Sequence, residues 1–260
     1  MKKKLVLFDW NGTLLDDVPF FWGAILDTFR AFGTEAPSME DFFRELKDDY
    51  YEIYASRGIT APREELNKVF KPAYLKLAEN AVLHPHVAET LELLSYLNIP
   101  TGLITMQQEE LASPVLKARG ILNYFSLTSF HNLQKAETIG AFCAEEQVDL
   151  GNCFFVGDSP SDIRHANRAE VNSVAFMNKY VPNDLIAKVD PDFAIRDIGD
   201  VVELVLQGSY PGTLCDSCNV LGDHDYHGDA HILVQDKPAG RQCSCQTCRT
   251  ADIISDVQHT

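Results

Sequence analysis

Two stretches of the chain place a carboxylate directly after an apolar run. Leu5–Phe8 is such a run and precedes Asp9, and a second apolar run precedes Asp158. Unbroken apolar runs are typical of strands that are buried on both faces of a parallel sheet. Ligands of open α/β sheets bind outside the carboxyl ends of the strands, so both carboxylates are predicted to lie where a site could form. An Asp that only begins a turn would occupy the same position, and the first stretch alone does not separate these two interpretations.

The residues that follow Asp158 add a third carboxylate. Ser159 suits a helix N-cap and Pro160 suits the first helical position, so a helix is predicted to begin here. Asp162 lies three residues after the cap and could serve as a capping carboxylate. However, three carboxylates that meet without a cation repel one another and resist burial. The preferred interpretation is a hard divalent cation, because Mg²⁺ typically binds a few carboxylates together with waters and a substrate phosphate.

Further motifs occur between and around these carboxylates. The stretch 9–13 reads Asp-Trp-Asn-Gly-Thr, Thr105 follows a short apolar run, Lys135 comes next, and 157–162 reads Gly-Asp-x-x-x-Asp. In order and spacing, these four motifs resemble those of the haloacid dehalogenase-like family, and in particular its phosphoglycolate phosphatase-like group. Four ordered motifs are a specific signal, whereas each alone would be weak. One departure is that Asn11 stands where phosphatases of that family carry a second Asp.

The resemblance covers residues 4–207 and implies a role for each motif. It implies that Asp9 is a nucleophile that forms an aspartyl-phosphate with a small phosphorylated substrate. It also implies Mg²⁺ ligands, which would be Asp9, the backbone carbonyl of Asn11, Asp158 and Asp162. The groups that it implies for catalysis and phosphate binding are Asn11, Gly12, Thr13, Thr105 and Lys135.

Asn11 weakens the prediction of an efficient phosphatase. The second Asp of the family protonates the leaving oxygen and later activates water, and an amide cannot carry that proton. General acid–base catalysis contributes about 10²- to 10⁴-fold, so slow turnover is predicted, with Asn11→Asp expected to raise it. Two alternatives stay open, namely another chemistry of the family (phosphonate or halide cleavage) and a non-catalytic scaffold that binds a phosphorylated ligand. Phosphonate cleavage would need a cap lysine, for which the candidates are Lys47, Lys68, Lys71 and Lys76.

The order of the elements predicts the fold class. Strands that alternate with helices indicate an α/β protein with a doubly wound parallel sheet. This core is predicted to comprise residues 1–15 and 83–208. Residues 16–82 contain three helical stretches rich in aromatic residues, and they resemble the all-helical cap of many members of the family. Aromatic stripes at helical spacing more often form a core than line a pocket.

The last segment, residues 209–260, lies beyond the resemblance. It contains two Cys-x-x-Cys pairs that are separated by 26 residues. That spacing is compatible with a zinc ribbon, and a structural Zn²⁺ would explain how so polar a segment folds. A second metal, a metal-free tail and a protein partner for the tail stay open. The predicted zinc ligands are Cys215, Cys218, Cys245 and Cys248, and the further candidates are Cys243, His224, His227 and His231.

Composition excludes some classes of partner. The net charge of −16 at pH 7 argues against nucleic acid or an anionic membrane as a partner. No apolar stretch reaches the length of a membrane span, and a cytoplasmic protein is expected. The identity of the substrate and the oligomeric state cannot be read from the sequence.

Overall fold

The computed structural model describes residues 2–46, 50–78, 80–207 and 232–234. Within them, strands and helices alternate along the chain, as the sequence predicts. The strands are β1 (Leu5–Phe8), β2 (Leu15–Asp16), β3 (Val82–Leu83), β4 (Thr101–Ile104), β5 (Phe125–Ser129), β6 (Cys153–Gly157), β7 (Asn172–Phe176), β8 (Phe193–Ile195) and β9 (Ile232–Val234). The helices are α1 (Val18–Ala31), α2 (Met39–Glu45), α3 (Tyr51–Ser56), α4 (Arg63–Ala78), α5 (Val87–Tyr96), α6 (Glu109–Ala118), α7 (Lys135–Glu145), α8 (Pro160–Arg168), α9 (Asn183–Ala187) and α10 (Asp200–Gln207).

The main sheet has the strand order β5-β4-β1-β6-β7-β8-β9. The pairs from β5 to β8 are all parallel, and β9 pairs antiparallel with β8 at the edge. The predicted α/β fold with a doubly wound parallel sheet is therefore confirmed for the core. The predicted zinc ribbon lies outside the described residues, and of segment 209–260 the structure describes 232–234.

Strand β1 lies in the middle of this sheet and is buried on both faces. Val6 and Phe8 pack into one hydrophobic cluster with residues of α5, α6 and α10. Leu5 and Leu7 pack into another with residues of α7 and α8. Successive side chains of a strand point to opposite faces, so a strand covered by helices on both sides needs an apolar residue at every position. This requirement explains the unbroken apolar run before Asp9.

The sheet topology brings the predicted site residues to one edge. Asp9 follows directly after β1, Thr105 after β4 and Asp158 after β6, and these three strands are parallel neighbours. Lys135 is the first residue of α7, which follows β5 on the far side of β4. Because the carboxyl ends of parallel strands meet at one edge, residues distant in sequence become neighbours there.

Helices α1 to α4 lie between β2 and β3 and have a hydrophobic cluster of their own. Phe42, Tyr54 and Phe70 are buried in it, and aromatic rings from different helices meet edge to face, as Phe21 does with Phe42 at a centroid separation of 5.9 Å. Most of the aromatic stripe is thus core, as expected. The second of the three predicted helices is divided into α2 and α3, because Leu46 ends α2 with an extended ψ of 124°.

In the part of the chain that the structure describes, no helix combines the length and the apolar character needed to cross a bilayer.

Candidate active site

Lys135 forms the centre of a buried ionic cluster. Its Nζ lies 2.6 Å from Oδ1 of Asp9 and 2.7 Å from Oδ1 of Asp162. All three side chains are buried. A lysine in the first turn of a helix is disfavoured by the helix dipole, and these two ion pairs compensate for it.

Asp158 lies beside this cluster and is held by neutral donors. The Thr13 hydroxyl donates to Oδ1 at 3.1 Å, and Asn178 Nδ2 donates to Oδ2 at 2.8 Å. Asn178 also donates to the Gly12 carbonyl at 3.2 Å, so it ties the loop after β1 to the end of β6. Asn178 was not predicted as a site residue, and it is the second residue after β7, whereas Asp9 comes directly after β1.

Asp162 caps a helix, as one interpretation of the sequence predicts, and also forms an ion pair with Lys135. The Ser159 side chain accepts from the Asp162 N–H, and Oδ2 of Asp162 accepts from the Ser159 N–H at 3.2 Å, so the two residues form a capping box. The other carboxylate oxygen, Oδ1, faces Lys135. One carboxyl group therefore begins a helix with one oxygen and belongs to the site with the other.

The electrostatics of the cluster show an excess of buried negative charge. Burial raises the pKa of Asp9 to about 7, although Lys135 acts in the opposite direction. Burial, with the nearby charges of Asp162 and Asp9, raises the pKa of Asp158 well above its usual range. Burial by itself lowers the pKa of Lys135, but the ion pairs with Asp162 and Asp9 outweigh it and the pKa rises. Three carboxyl groups thus share one ammonium group.

This donor set fits a hard divalent cation. One oxygen from each of Asp9, Asp158 and Asp162 lies within 4.8 Å of the others, and all three residues are buried. Carboxylate oxygens are the ligands that Mg²⁺ prefers in proteins, and a cation would offset the charge that Lys135 leaves uncompensated.

Two glycines allow the loops of the site to approach this closely. Gly12 has a φ of +74°, and a Cβ at this position would lie 2.4 Å from Oδ2 of Asp158. A Cβ on Gly157 would lie 2.3 Å from the Cβ of Asp162. Both contacts are far shorter than van der Waals distance, so each position requires glycine for steric reasons.

Asn11 takes part in a second network, which the sequence did not indicate. Its Nδ2 lies 2.6 Å from Oδ2 of Asp17, 3.1 Å from the Tyr74 hydroxyl and 3.4 Å from Oε1 of Gln107. Burial raises the pKa of Asp17, while the hydrogen bonds from Tyr74 and Asn11 act against this shift. Asp17 and Tyr74 are 57 residues apart and carry no shared spacing signal.

A cavity of about 230 Å³ opens onto the cluster. Its core end contains Asp9, Asp158, Asp162, Lys135 and Thr105. Its cap end is contributed by α1 to α4 and the adjoining loops and is about half aromatic, with Phe21, Phe43, Tyr50, Tyr51 and Phe70. The predicted site residues Asp9, Asn11, Gly12, Thr105, Lys135, Asp158 and Asp162 all line this cavity, whereas Thr13 is buried behind it against Asp158.

The candidate cap lysines fall in different places. Lys71 lines the cavity, and its ammonium group lies 3.4 Å from the exposed Glu110. Lys68 is exposed and pairs with Glu65, and the exposed Lys76 is not among the residues that line the cavity. Lys47 lies outside the described residues, as do the predicted zinc ligands Cys215, Cys218, Cys245 and Cys248 and the further candidates Cys243, His224, His227 and His231.

Comparison with known proteins identifies a family and similar sequences. A family model described as haloacid dehalogenase-like hydrolase matches residues 6–176. A phosphoglycolate phosphatase of Vibrio cholerae is 28% identical over 220 residues, which cover 78% of this chain and 97% of the relative. A phosphoglycolate phosphatase of Escherichia coli K12 is 26% identical, with 76% of this chain and 90% of the relative covered.

Solved structures share the fold. A predicted phosphoglycolate phosphatase from Haemophilus somnus has a TM-score of 0.65 at 22% identity, over 78% of this chain and 98% of the other. A hydrolase from Pseudomonas syringae has a TM-score of 0.68 at 17% identity, over 79% of this chain and 99% of the other. The predictions of the family and of a phosphatase-type enzyme are confirmed: the chain belongs to the haloacid dehalogenase-like hydrolases.

Proposed function

We propose that this chain is a Mg²⁺-dependent phosphohydrolase that acts on a small phosphorylated metabolite through an aspartyl-phosphate on Asp9. The observation that carries the proposal is the meeting of Asp9, Asp158, Asp162 and Lys135 at one end of a cavity large enough for a small metabolite. Phosphoglycolate is the first substrate to test, because similar proteins are named phosphoglycolate phosphatase.

In the first step, a carboxylate oxygen of Asp9 attacks phosphorus and the substrate alcohol leaves with its oxygen. Lys135 holds Asp9 in place through the 2.6 Å ion pair, and with Thr105 it neutralises the charge that develops on the phosphoryl oxygens. In the second step, water attacks the aspartyl-phosphate, which releases inorganic phosphate and regenerates the Asp9 carboxylate.

The metal ligands in this proposal are Asp9, the backbone carbonyl of Asn11, Asp158 and Asp162. When bound there, Mg²⁺ would offset the negative charge of the carboxylates and of the substrate phosphate. The backbone amide of Thr13 would bind a phosphoryl oxygen, whereas the Gly12 N–H, predicted for the same role, donates to Oδ1 of Asp17 at 2.9 Å.

Proton transfer is the slow part of this mechanism. The leaving alcohol needs a proton and the attacking water must lose one, and the amide of Asn11 can do neither. Water must then act in its place, and the loss of a positioned acid–base group corresponds to about 10²-fold or more in rate.

The test is phosphate release from a panel of phosphorylated metabolites, with Mg²⁺ and with chelator, using Asp9→Asn as the blank. Release that requires both Mg²⁺ and Asp9 would support the proposal, and the panel would identify the substrate. Absence of release above the blank would contradict it. In that case, Mg²⁺-dependent binding of inorganic phosphate would favour the non-catalytic scaffold.

A second candidate function is cleavage of a phosphonate, which the position of Lys71 in the cavity favours. A Schiff base between this lysine and a carbonyl-containing phosphonate would be required. Imine formation releases water and borohydride adds two hydrogens, so the peptide that contains Lys71 should then gain the mass of the phosphonate less one oxygen atom. An unmodified Lys71 would exclude this chemistry.

For the segments around the core, we propose that residues 16–82 act as a cap on a core made of 1–15 and 83–208. Closure of the cap would exclude water and select the substrate. Its position at the end of the cavity opposite the ionic cluster supports this role, since α1 and α4 contribute Phe21 and Phe70 to the cavity.

For segment 209–260, we propose a zinc ribbon with Cys215, Cys218, Cys245 and Cys248 as ligands. The spacing of the cysteine pairs supports it. About one zinc per chain is expected by elemental analysis of the full chain, and Cys215→Ser should lower it. Ser217→Ala, between the first two cysteines, is the matched control. Unchanged zinc in the Cys215 variant would contradict the assignment, and a protein partner for this segment stays a prediction.

A further inference from the structure

Asp17 is a buried carboxyl group for which the proposed reaction has no use. Its oxygens accept hydrogen bonds from the Gly12 N–H at 2.9 Å, from Asn11 Nδ2 at 2.6 Å and from the Tyr74 hydroxyl at 2.6 Å. The residue is fully buried, and these three donors are neutral. Burial of a carboxylate costs free energy unless the carboxylate is hydrogen-bonded. The loss of any one donor therefore destabilises the arrangement of the other two.

The bond from Asn11 requires a donor at position 11. An amide supplies one, whereas an ionised carboxyl group supplies none. An Asp at position 11 would bring two carboxyl groups to about the 2.6 Å separation that now joins Asn11 to Asp17. Like charges at this distance in a buried site cannot both be tolerated. The amide at position 11 is therefore matched to the carboxyl group at position 17.

Tyr74 connects the same carboxyl group to the cap. It lies in α4 and is 2% exposed. Its hydroxyl group donates to Asp17 and also lies 3.1 Å from Asn11 Nδ2. Asp17 itself precedes α1 and does not use its side chain to cap that helix. The carboxyl group thus faces the catalytic loop and the cap helix at once.

From this geometry we infer that Asp17 is a positioning residue, which holds Asn11 in the active-site loop and joins that loop to Tyr74 of the cap. Asn11 and Asp17 act as a unit, in which an amide and a carboxyl group can exchange places but two ionised carboxyl groups cannot coexist. The kinetic part of this inference rests on the proposed phosphatase function. The structural pairing does not.

A double-mutant cycle tests the pairing, with Asn11→Asp, Asp17→Asn and the double exchange N11D/D17N. Asn11→Asp alone is expected to lower kcat about tenfold and Tm by about 4 °C or more, because it leaves two buried carboxyl groups in contact. The double exchange should restore Tm. It should also bring kcat to or above that of the wild type, because Asp at position 11 can carry the proton. The sequence alone predicts that Asn11→Asp raises turnover, whereas the contact with Asp17 leads us to expect a lower kcat for this single substitution.

Asp17→Asn separates positioning from a purely structural role. It should lower kcat about three- to tenfold with KM and Mg²⁺ affinity nearly unchanged, because the charged hydrogen bond to Asn11 becomes a neutral one. If Asp17 had a purely structural role, the substitution would change Tm but would not lower kcat at an unchanged KM. N11D/D17S, which removes the second carboxyl group altogether, provides an independent rescue should the exchange fail to fold.

Tyr74→Phe tests the connection to the cap. It is expected to lower kcat about three- to tenfold, and adding it to Asp17→Asn should cause little further loss. Tyr54→Phe is the matched control, because Tyr54 is another buried tyrosine of the same hydrophobic cluster but is not one of the groups that donate to Asp17. It should leave kcat unchanged.

Two results would overturn the inference. One is a rise in kcat with unchanged Tm for Asn11→Asp alone, and the other is an additive cycle in both kcat and Tm. If the wild type releases no phosphate from any substrate, the proposed function fails separately. The Tm values still decide the pairing in that case, because the like-charge contact exists without turnover.

Discussion

The two ends of the cavity are built on different principles. The core end contains three carboxyl groups and one ammonium group, all buried, at the ends of strands and the starts of helices. About half of the cap residues at the cap end are aromatic, and these side chains also pack against one another, as Phe21 does with Phe70 at 5.7 Å. In the proposed function, the core end would determine which bond is broken and the cap end would determine which molecule reaches it. Substitutions at the core end should therefore change kcat for every substrate, while those at the cap end should change KM for some.

The largest effect is expected for Asp9→Asn. It removes the proposed nucleophile and the charged partner of Lys135 but keeps the shape of the side chain. Turnover should fall by about 10³-fold or more for every substrate, measured as phosphate release. Retention of a tenth of the activity would show that Asp9 is not the nucleophile, and the distinction between the two ends would lose its basis.

Asp158→Asn should abolish Mg²⁺ binding and, at the same time, stabilise the metal-free protein. Burial raises the pKa of Asp158, so its contribution to stability is present below its unfolded pKa and is lost as the pH rises through the raised value. The Tm of the metal-free variant should exceed that of the wild type at pH 8 and equal it near pH 4.

Added Mg²⁺ should raise the Tm of the wild type by roughly 5 °C at saturating concentration and leave that of the variant unchanged. Thermal unfolding with and without Mg²⁺ measures both effects. Asp184→Asn, at an exposed residue that pairs with Arg44, is the control and should retain the Mg²⁺ response. An equal Mg²⁺ response in the Asp158 variant would remove this residue from the metal site.

Gly12→Ala should lower kcat about 10- to 100-fold, because the new methyl group collides with Oδ2 of Asp158 at 2.4 Å. Gly58→Ala is the matched control. Gly58 also has a positive φ, of +84°, but a Cβ there would meet no atom within 4 Å. Both variants incur similar backbone strain, so only the first should lose activity. Equal losses would mean that strain, and not the approach to Asp158, explains the glycine.

The sequence predicted the core end better than the cap end, for a physical reason. Asp9 and Asp158 follow buried strands, and parallel strands bring their carboxyl ends together, so local pattern and topology suffice to place them. Asn178 was missed because it is the second residue after β7 and not the first. The rule does not apply to Asp17 and Tyr74, which meet only through the packing of α4 against α1.

The cap end lacks such a rule. Its aromatic residues recur at helical spacing whether they form the core of the cap or line the cavity, and here Phe70 does both. The spacing therefore predicted the helices and their buried faces but not the shape of the pocket. The division of the second predicted helix at Leu46 was missed for a similar reason, because apolar residues continue across it.

The smallest effect is expected for Lys71→Met, which tests most directly whether the two ends of the cavity have different roles. The side chain of Lys71 is 31% exposed, and its partner Glu110 is 3.4 Å away and 65% exposed. Such surface pairs contribute about 0 to 1 kcal/mol, so the ammonium group can turn to an anionic substrate at little cost. For phosphoglycolate, which carries a carboxylate besides its phosphate, the variant should raise KM about three- to tenfold and leave kcat unchanged. For p-nitrophenyl phosphate, which lacks a second anion, KM should not change.

Lys68→Met is the matched control, since Lys68 lies one turn earlier on α4, pairs with Glu65 and does not line the cavity. A fall in kcat for both substrates would instead place Lys71 in the chemistry, and the cap end would then do more than select.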